Sequence, residues 1–175
     1  IALIILGGIG FYVLEELRLA AMAKRNGKRW CWSLHARAVL ITTGILIFIG
    51  AVSFFGLELF NRQLPARWYE RILPALFQSV TARTAGFNTV EMSQLTNGTL
   101  SVIILLMIIG ASPGSTGGGI KTTTLAILAA MVISRVRGRP DTEFRNRRVP
   151  GDLVAKALAV TLVFVGAVVL FTLLL

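Results

Sequence analysis

The sequence predicts an all-α membrane protein: a spanning helix, a re-entrant pore loop and a second spanning helix that is broken midway. Three observations carry that prediction. Hydrophobic residues make up 55% of the chain and charged ones only 15%; a soluble fold this apolar would leave large exposed patches. Long apolar runs alternate with short loops dense in Lys and Arg, as on the cytoplasmic side of membrane proteins. Finally, residues 73–89 lie between two apolar runs, yet are too polar and too short to cross a bilayer.

Composition also removes several function classes. The net charge of +10 raises the question of nucleic acid, but the bases cluster between apolar runs instead of interleaving with aromatics on a polar surface. Membrane topology accounts for them, and no nucleic-acid partner is expected. Cys31 is the one cysteine and His35 the one histidine, so disulfides, thiolate metal clusters and the usual catalytic pairings lack their parts. An enzyme is not expected, nor a covalently bound cofactor. Both ends of the sequence fall inside apolar runs, so it reads as part of a longer chain.

In chain order, residues 1–14 are apolar with Gly7, Gly8 and Gly10 at their centre, matching the inner half of a helix with small residues for close packing. Glu15, Glu16 and Arg18 mark its exit from lipid. The loop that follows carries Lys24, Arg25, Lys28, Arg29 and Arg37 without an acid and reads as cytoplasmic, with His35 interfacial. Residues 38–60 form a 23-residue apolar span with Glu58 near its outer end.

Residues 73–89 open with about three turns of plausible helix, roughly 18 Å or half a membrane, and place Pro74 near the first turn, where its missing N–H matters least. The stretch then breaks into Thr84-Ala85-Gly86-Phe87. Irregular backbone at that depth must be buried in protein or line a water-filled cavity. Gly86 permits torsions that turn carbonyl oxygens toward a common axis, with the negative end of a short helix behind them. That arrangement suits a dehydrated cation, so Thr84, Ala85, Gly86 and Phe87 are the candidate filter. Arg83 beside them either braces the filter or is a solvated residue of the mouth.

Residues 99–134 would make a helix of about 54 Å, far longer than the bilayer core. Gly110, Pro113, Gly114, Ser115, Thr116, Gly117, Gly118 and Gly119 cannot hold a regular helix, so the chain breaks there at mid-depth. Lys121 then falls within the hydrocarbon zone, where an ionisable residue is a candidate functional site. Residues 135–151 are basic again and cytoplasmic, with a turn and a helix N-cap candidate at Val149-Pro150-Gly151-Asp152. A last apolar helix runs outward from residue 153.

Two rivals deserve comparison. Residues 114–122 resemble a phosphate loop, but Ile120 separates Gly119 from Lys121 and the acidic strand and βαβ context are missing. A secondary transporter with a discontinuous helix forming a substrate site is the alternative; the filter-like Thr84 to Phe87 after a half-length helix is what such a carrier does not require. Close helix packing alone accounts for Gly44, Gly50 and Gly56, but not for three consecutive glycines at 117–119.

Residues 78–89 (QSVTARTAGFNT) followed by residues 110–124 (GASPGSTGGGIKTTT) resemble the third repeat of the Ktr/Trk potassium uptake transporters. Residues 7–11 (GGIGF) resemble the close of the second repeat, and residues 33–40 (SLHARAVL) look nearer to the KtrB branch than to Trk. The resemblance implies a potassium-channel-like fold of four helix–loop–helix repeats around one pore. Residues 1–22 would then end repeat two, 38–134 form repeat three and 152–175 begin repeat four, with cytoplasmic loops at 23–37 and 135–151. It further implies potassium uptake, with sodium as a promoter, a filter at Thr84, Ala85, Gly86 and Phe87, and an intramembrane gate from Gly110 to Gly119. The implied setting is a bacterial plasma membrane, as a multi-pass homodimer among lipid on a cytosolic nucleotide-binding ring.

Overall fold

The computed structural model describes residues 1–27, 30–59, 61, 68–83, 85–139, 141–144 and 147–174. The expectations placed on Lys28, Arg29 and Thr84 lie outside them. Among the described residues there are seven α-helices: α1 (Ala2–Ile9), α2 (Phe11–Arg25), α3 (Leu34–Leu57), α4 (Trp68–Thr81), α5 (Asn97–Ile108), α6 (Thr122–Val136) and α7 (Gly151–Leu174). Two of these, α3 and α7, are long and apolar enough to cross a membrane by length and composition.

The first helix departs from expectation. The run through residue 14 is not one helix end but two helices, parted at Gly10 with φ 86° and ψ 148°. The second of them continues past Glu15, Glu16 and Arg18 to Arg25. Glu16 then caps the next element. Its carboxylate accepts from the Ser33 N–H at 2.5 Å and from the Ser33 hydroxyl at 2.6 Å, while Ser33 Oγ accepts the Ala36 N–H and so serves as N-cap of α3. The helix therefore starts at Leu34, four residues before the apolar run.

Helix α3 is the central post, packed against α4, α5 and α6. Leu46 and Phe54 of α3 join Ala75, Ala82, Leu95, Ile103 and Leu106 in the main core, and Ile9, Val13, Ala36 and Val39 make a second cluster under α1 and α2. Of the glycines credited with packing, Gly50 fits: a Cβ there would stand 2.4 Å from Ser79 Oγ. Gly44 and Gly56 face open space, so close packing does not explain them.

The short helix α4 begins at Trp68 and not near Leu73, which puts Pro74 in its second turn. The first turn carries Glu70 and buries Arg71, so apolarity alone does not mark where the helix begins. Beyond α6, a two-stranded antiparallel hairpin pairs β1 (Glu143–Phe144) with β2 (Arg147–Arg148), an element absent from the sequence reading of that basic loop. Arg148 also pairs with Asp141 at 2.7 Å. In α7, Asp152 falls within the first turn and not at the cap, where its charge still meets the positive helix end. This helix packs along α6 and leaves Leu162, Val163 and Leu173 exposed; a face this apolar calls for lipid or protein around it.

Candidate functional site

The site is built on α4, whose 14 residues span about 21 Å. Its N-terminal end is fixed by Arg71, which is buried. The guanidinium donates through Nη1 to the carbonyls of Glu58 (2.6 Å) and Leu59 (2.7 Å), and through Nη2 to that of Asn61 (3.1 Å). These carbonyls lie just past the C-terminus of α3, where a cation is favoured. Further along, Ser79 Oγ donates to the Ile47 carbonyl at 2.8 Å, a contact that depends on the missing side chain at Gly50.

Glu58 ties the same corner to α5. Its Oε1 accepts from the Thr96 N–H (2.9 Å), the Thr96 hydroxyl (3.0 Å) and the Thr99 hydroxyl (2.5 Å), and its Oε2 accepts from Asn61 Nδ2. Asn61 Nδ2 also reaches the Gln94 carbonyl at 2.7 Å. Glu58 lies just beyond the spanning helix and is 1% exposed. Burial alone raises its pKa, but the hydrogen bonds from Thr99, Asn61 and Thr96 outweigh it and hold the carboxyl below the ordinary value. A buried carboxylate is tolerated because donors surround it.

After Thr81 the chain turns. The Ala85 N–H donates to the Thr81 carbonyl at 3.0 Å, Gly86 takes φ 77°, and Phe87 is pinned at both backbone atoms. The Thr81 hydroxyl donates to the Phe87 carbonyl (2.7 Å) and accepts from the Phe87 N–H (3.0 Å). The Phe87 carbonyl is thus engaged by protein, whereas among the described residues neither the Ala85 nor the Gly86 carbonyl accepts a hydrogen bond. Arg83 is 7% exposed. The solvated-mouth alternative for it therefore does not hold.

The break between α5 and α6 closes on itself. The Ile120 N–H donates to the Ile108 carbonyl (3.0 Å) and the Ala111 N–H to the Gly118 carbonyl (3.3 Å), with a parallel bridge between Ile109 and Ile120. A Cβ on Gly110 would stand 1.5 Å from the Gly118 oxygen, so no other residue fits this closure. Beside it the Ser112 and Thr122 hydroxyls share a buried bond of 2.9 Å, and the Thr122 N–H reaches the Ala111 carbonyl (3.3 Å). Lys121 folds back, its Nζ donating to the Gly117 carbonyl at 2.6 Å, so its charge staples the loop that precedes it. Pro113, Gly114 and Ser115 form the turn farthest from this closure, where the Ser115 N–H and hydroxyl both reach the Ser112 carbonyl.

The two irregular segments meet. A cavity of about 250 Å³ is lined by Arg83, Ala85 and Phe87 from one and by Thr116 and Gly117 from the other, with Gly7 and Gly8 of α1 alongside. The structure therefore brings together Ala85 and Phe87 of the expected filter with Thr116 and Gly117 of the expected gate. Sequence reasoning missed Thr81 and the Arg71–Glu58 clamp. Arg71 and Glu58 carry no motif; Thr81 lies inside the 78–89 stretch and closes the short helix, which was the available signal for it.

The chain is similar to known proteins over most of its length. The chain is 38% identical over 175 residues to Ktr system potassium uptake protein D of Bacillus subtilis, covering 97% of this chain and 38% of that protein. It is 35% identical to Ktr system potassium uptake protein B of the same organism, over 94% of this chain and 37% of the relative. Potassium/sodium uptake protein NtpJ of Enterococcus hirae is 34% identical, over 94% and 35% respectively. The chain thus spans little more than a third of the length of these relatives. Residues 1–175 match the TrkH cation transport protein family from end to end, and the chain belongs to that family.

Proposed function

We propose that the whole protein takes up potassium through a pore of which this chain supplies one quadrant. The observation that carries the reading is the short helix α4, beyond whose C-terminal end the Ala85 and Gly86 carbonyls are unpartnered among the described residues, with Ala85 lining a cavity shared with the glycine-rich break. Peptide oxygens with a negative helix end behind them replace water around a monovalent cation. Thr84 and Phe87 belong to the same quadrant in this reading. Because the Phe87 carbonyl is held by Thr81, its part is to fix the turn.

The loop around Gly110 to Gly119 is the gate in this reading, lying beneath the filter across the cavity. The same reading extends to a multi-pass plasma-membrane homodimer that sits on a cytosolic nucleotide-binding ring and is promoted by sodium. It draws its support from the family resemblance and from the potassium uptake named in the relatives.

The test is rubidium and sodium flux by the full-length protein in liposomes. Gly86→Ser should lower the preference for rubidium over sodium, since a side chain at φ 77° strains the turn that aims the carbonyls. Unchanged selectivity in well-folded protein would remove the filter assignment. Shortening the 110–119 loop should raise flux; if well-folded protein then stops transporting, the loop is structural instead.

A further inference from the structure

The break at Gly10 has a partner about a hundred residues away. Parting α1 from α2 leaves the Gly8 carbonyl and the Phe11 N–H without partners in their own helices. Both are taken up by the glycine-rich loop: the Ser112 N–H donates to the Gly8 carbonyl at 3.0 Å, and the Phe11 N–H donates to the Gly114 carbonyl at 3.1 Å. The two chains approach so closely that a Cβ on Gly10 would stand 2.4 Å from the Pro113 oxygen. Gly10 also holds φ +86°, which L side chains rarely adopt. From the other side, a Cβ on Gly114 would meet the Tyr12 ring at 2.9 Å. The contact is thus backbone on backbone at Gly10 and backbone on aromatic ring at Gly114, and both positions hold a positive φ that suits glycine.

We propose that Gly10 is a positioning residue for the loop and that the Gly8–Phe11 break is a latch. It holds residues 112–114 against the helix pair α1–α2 and must release for the cavity to open toward the inner side. The inference rests on the gate reading above and names what restrains that gate. Helix breaks ordinarily leave their freed groups to water or side chains; here they are matched, donor to acceptor, by a second break. Releasing the loop costs two backbone hydrogen bonds and no apolar core, which is the form of a contact that opens and recloses.

The experiment uses full-length protein in liposomes with Cys31→Ser as background. A Cβ at Gly7 would lie 3.9 Å from Thr116 Oγ1, within reach of a disulfide. The Gly7→Cys/Thr116→Cys pair should cross-link on oxidation and cut rubidium flux at least about tenfold, with full recovery on reduction. Gly10→Ala should act in the opposite sense and raise flux on the order of tenfold, the effect of two net hydrogen bonds, without adding to the gain from the shortened loop. A pair that fails to cross-link, or that cross-links with flux unchanged, overturns the latch while the loop-shortening result continues to judge the gate. If shortening the loop leaves flux as it was, the gate reading is what fails, and the latch falls with it.

Discussion

The turn at Gly86 and the break at residues 109–121 are both irregular backbone between helices, and they are held in opposite ways. Around Gly86 nothing lies within 4 Å of the position a Cβ would take; its torsion, and not crowding, calls for glycine. Among the described residues one side chain restrains the turn, the Thr81 hydroxyl on Phe87. Gly110, in contrast, is boxed in by the backbone of Gly118 and Gly119, and the break is held by main-chain hydrogen bonds from end to end. A backbone that must present oxygens to an ion has to keep them free of protein partners. In the gate reading, a loop that closes a path can spend its donors and acceptors on itself and on the α1–α2 break.

The largest effect that comparison predicts is at Gly110. Gly110→Ala drives a methyl into the Gly118 carbonyl and cannot be absorbed by a rotamer change, so the closure should open at a cost of about 3 kcal/mol. Thermal unfolding of the solubilised full-length protein should show the loss, and rubidium flux should rise as the loop leaves its place. The same substitution at Gly86 meets no atom and should cost about 1 kcal/mol through torsion alone. Equal losses at the two sites would erase the distinction.

Second in size is Glu58, which braces the N-terminal end of α4 indirectly, through Asn61 and the α3 terminus. Glu58→Gln replaces an acceptor by a group that also donates, and faces it with the Thr96, Thr99 and Asn61 donors; about 2 kcal/mol should be lost. The carboxyl is held below its ordinary value of 4.5, so it binds fewer protons folded than unfolded. Its contribution is complete above the unfolded pKa and disappears as pH falls through the folded one. Melting temperature should therefore drop as the medium is acidified below about 4.5, and Glu58→Gln should flatten that slope. A variant with the wild-type slope would mean that another carboxylate carries it.

The broad architecture was legible because its signals are local. Pro113 and the surrounding glycines break a helix wherever they occur, and the half-length of α4 followed from where polar residues interrupt the apolar runs. What escaped was set by distant partners. Helix α4 starts at Trp68, and its first turn is tied down by Arg71 on the carbonyls just past α3, which no window around Leu73 contains. Gly10 looked like Gly7 and Gly8 in a row of small residues, and only the loop about a hundred positions later sets it apart. Arg83 left two readings open because charge says nothing of depth; its burial removes the solvated one.

Thr81 supplies the smallest predicted change and the finest test of how the filter turn is held. Thr81→Val keeps the shape and removes the hydroxyl, leaving the Phe87 N–H and carbonyl without their described partner, at about 1 kcal/mol. Stability should hardly register this in a protein of this size. Selectivity should, because the turn from Ala85 to Phe87 has this one described side-chain restraint. The rubidium-to-sodium flux ratio should fall by less than about tenfold, the equivalent of 1.4 kcal/mol, and Thr81→Ser should restore it, since the serine hydroxyl reaches the same two atoms. If valine keeps the wild-type ratio, the turn owes its geometry to its surroundings in the assembled pore. The contrast with the self-held break would then be one of exposure and not of restraint.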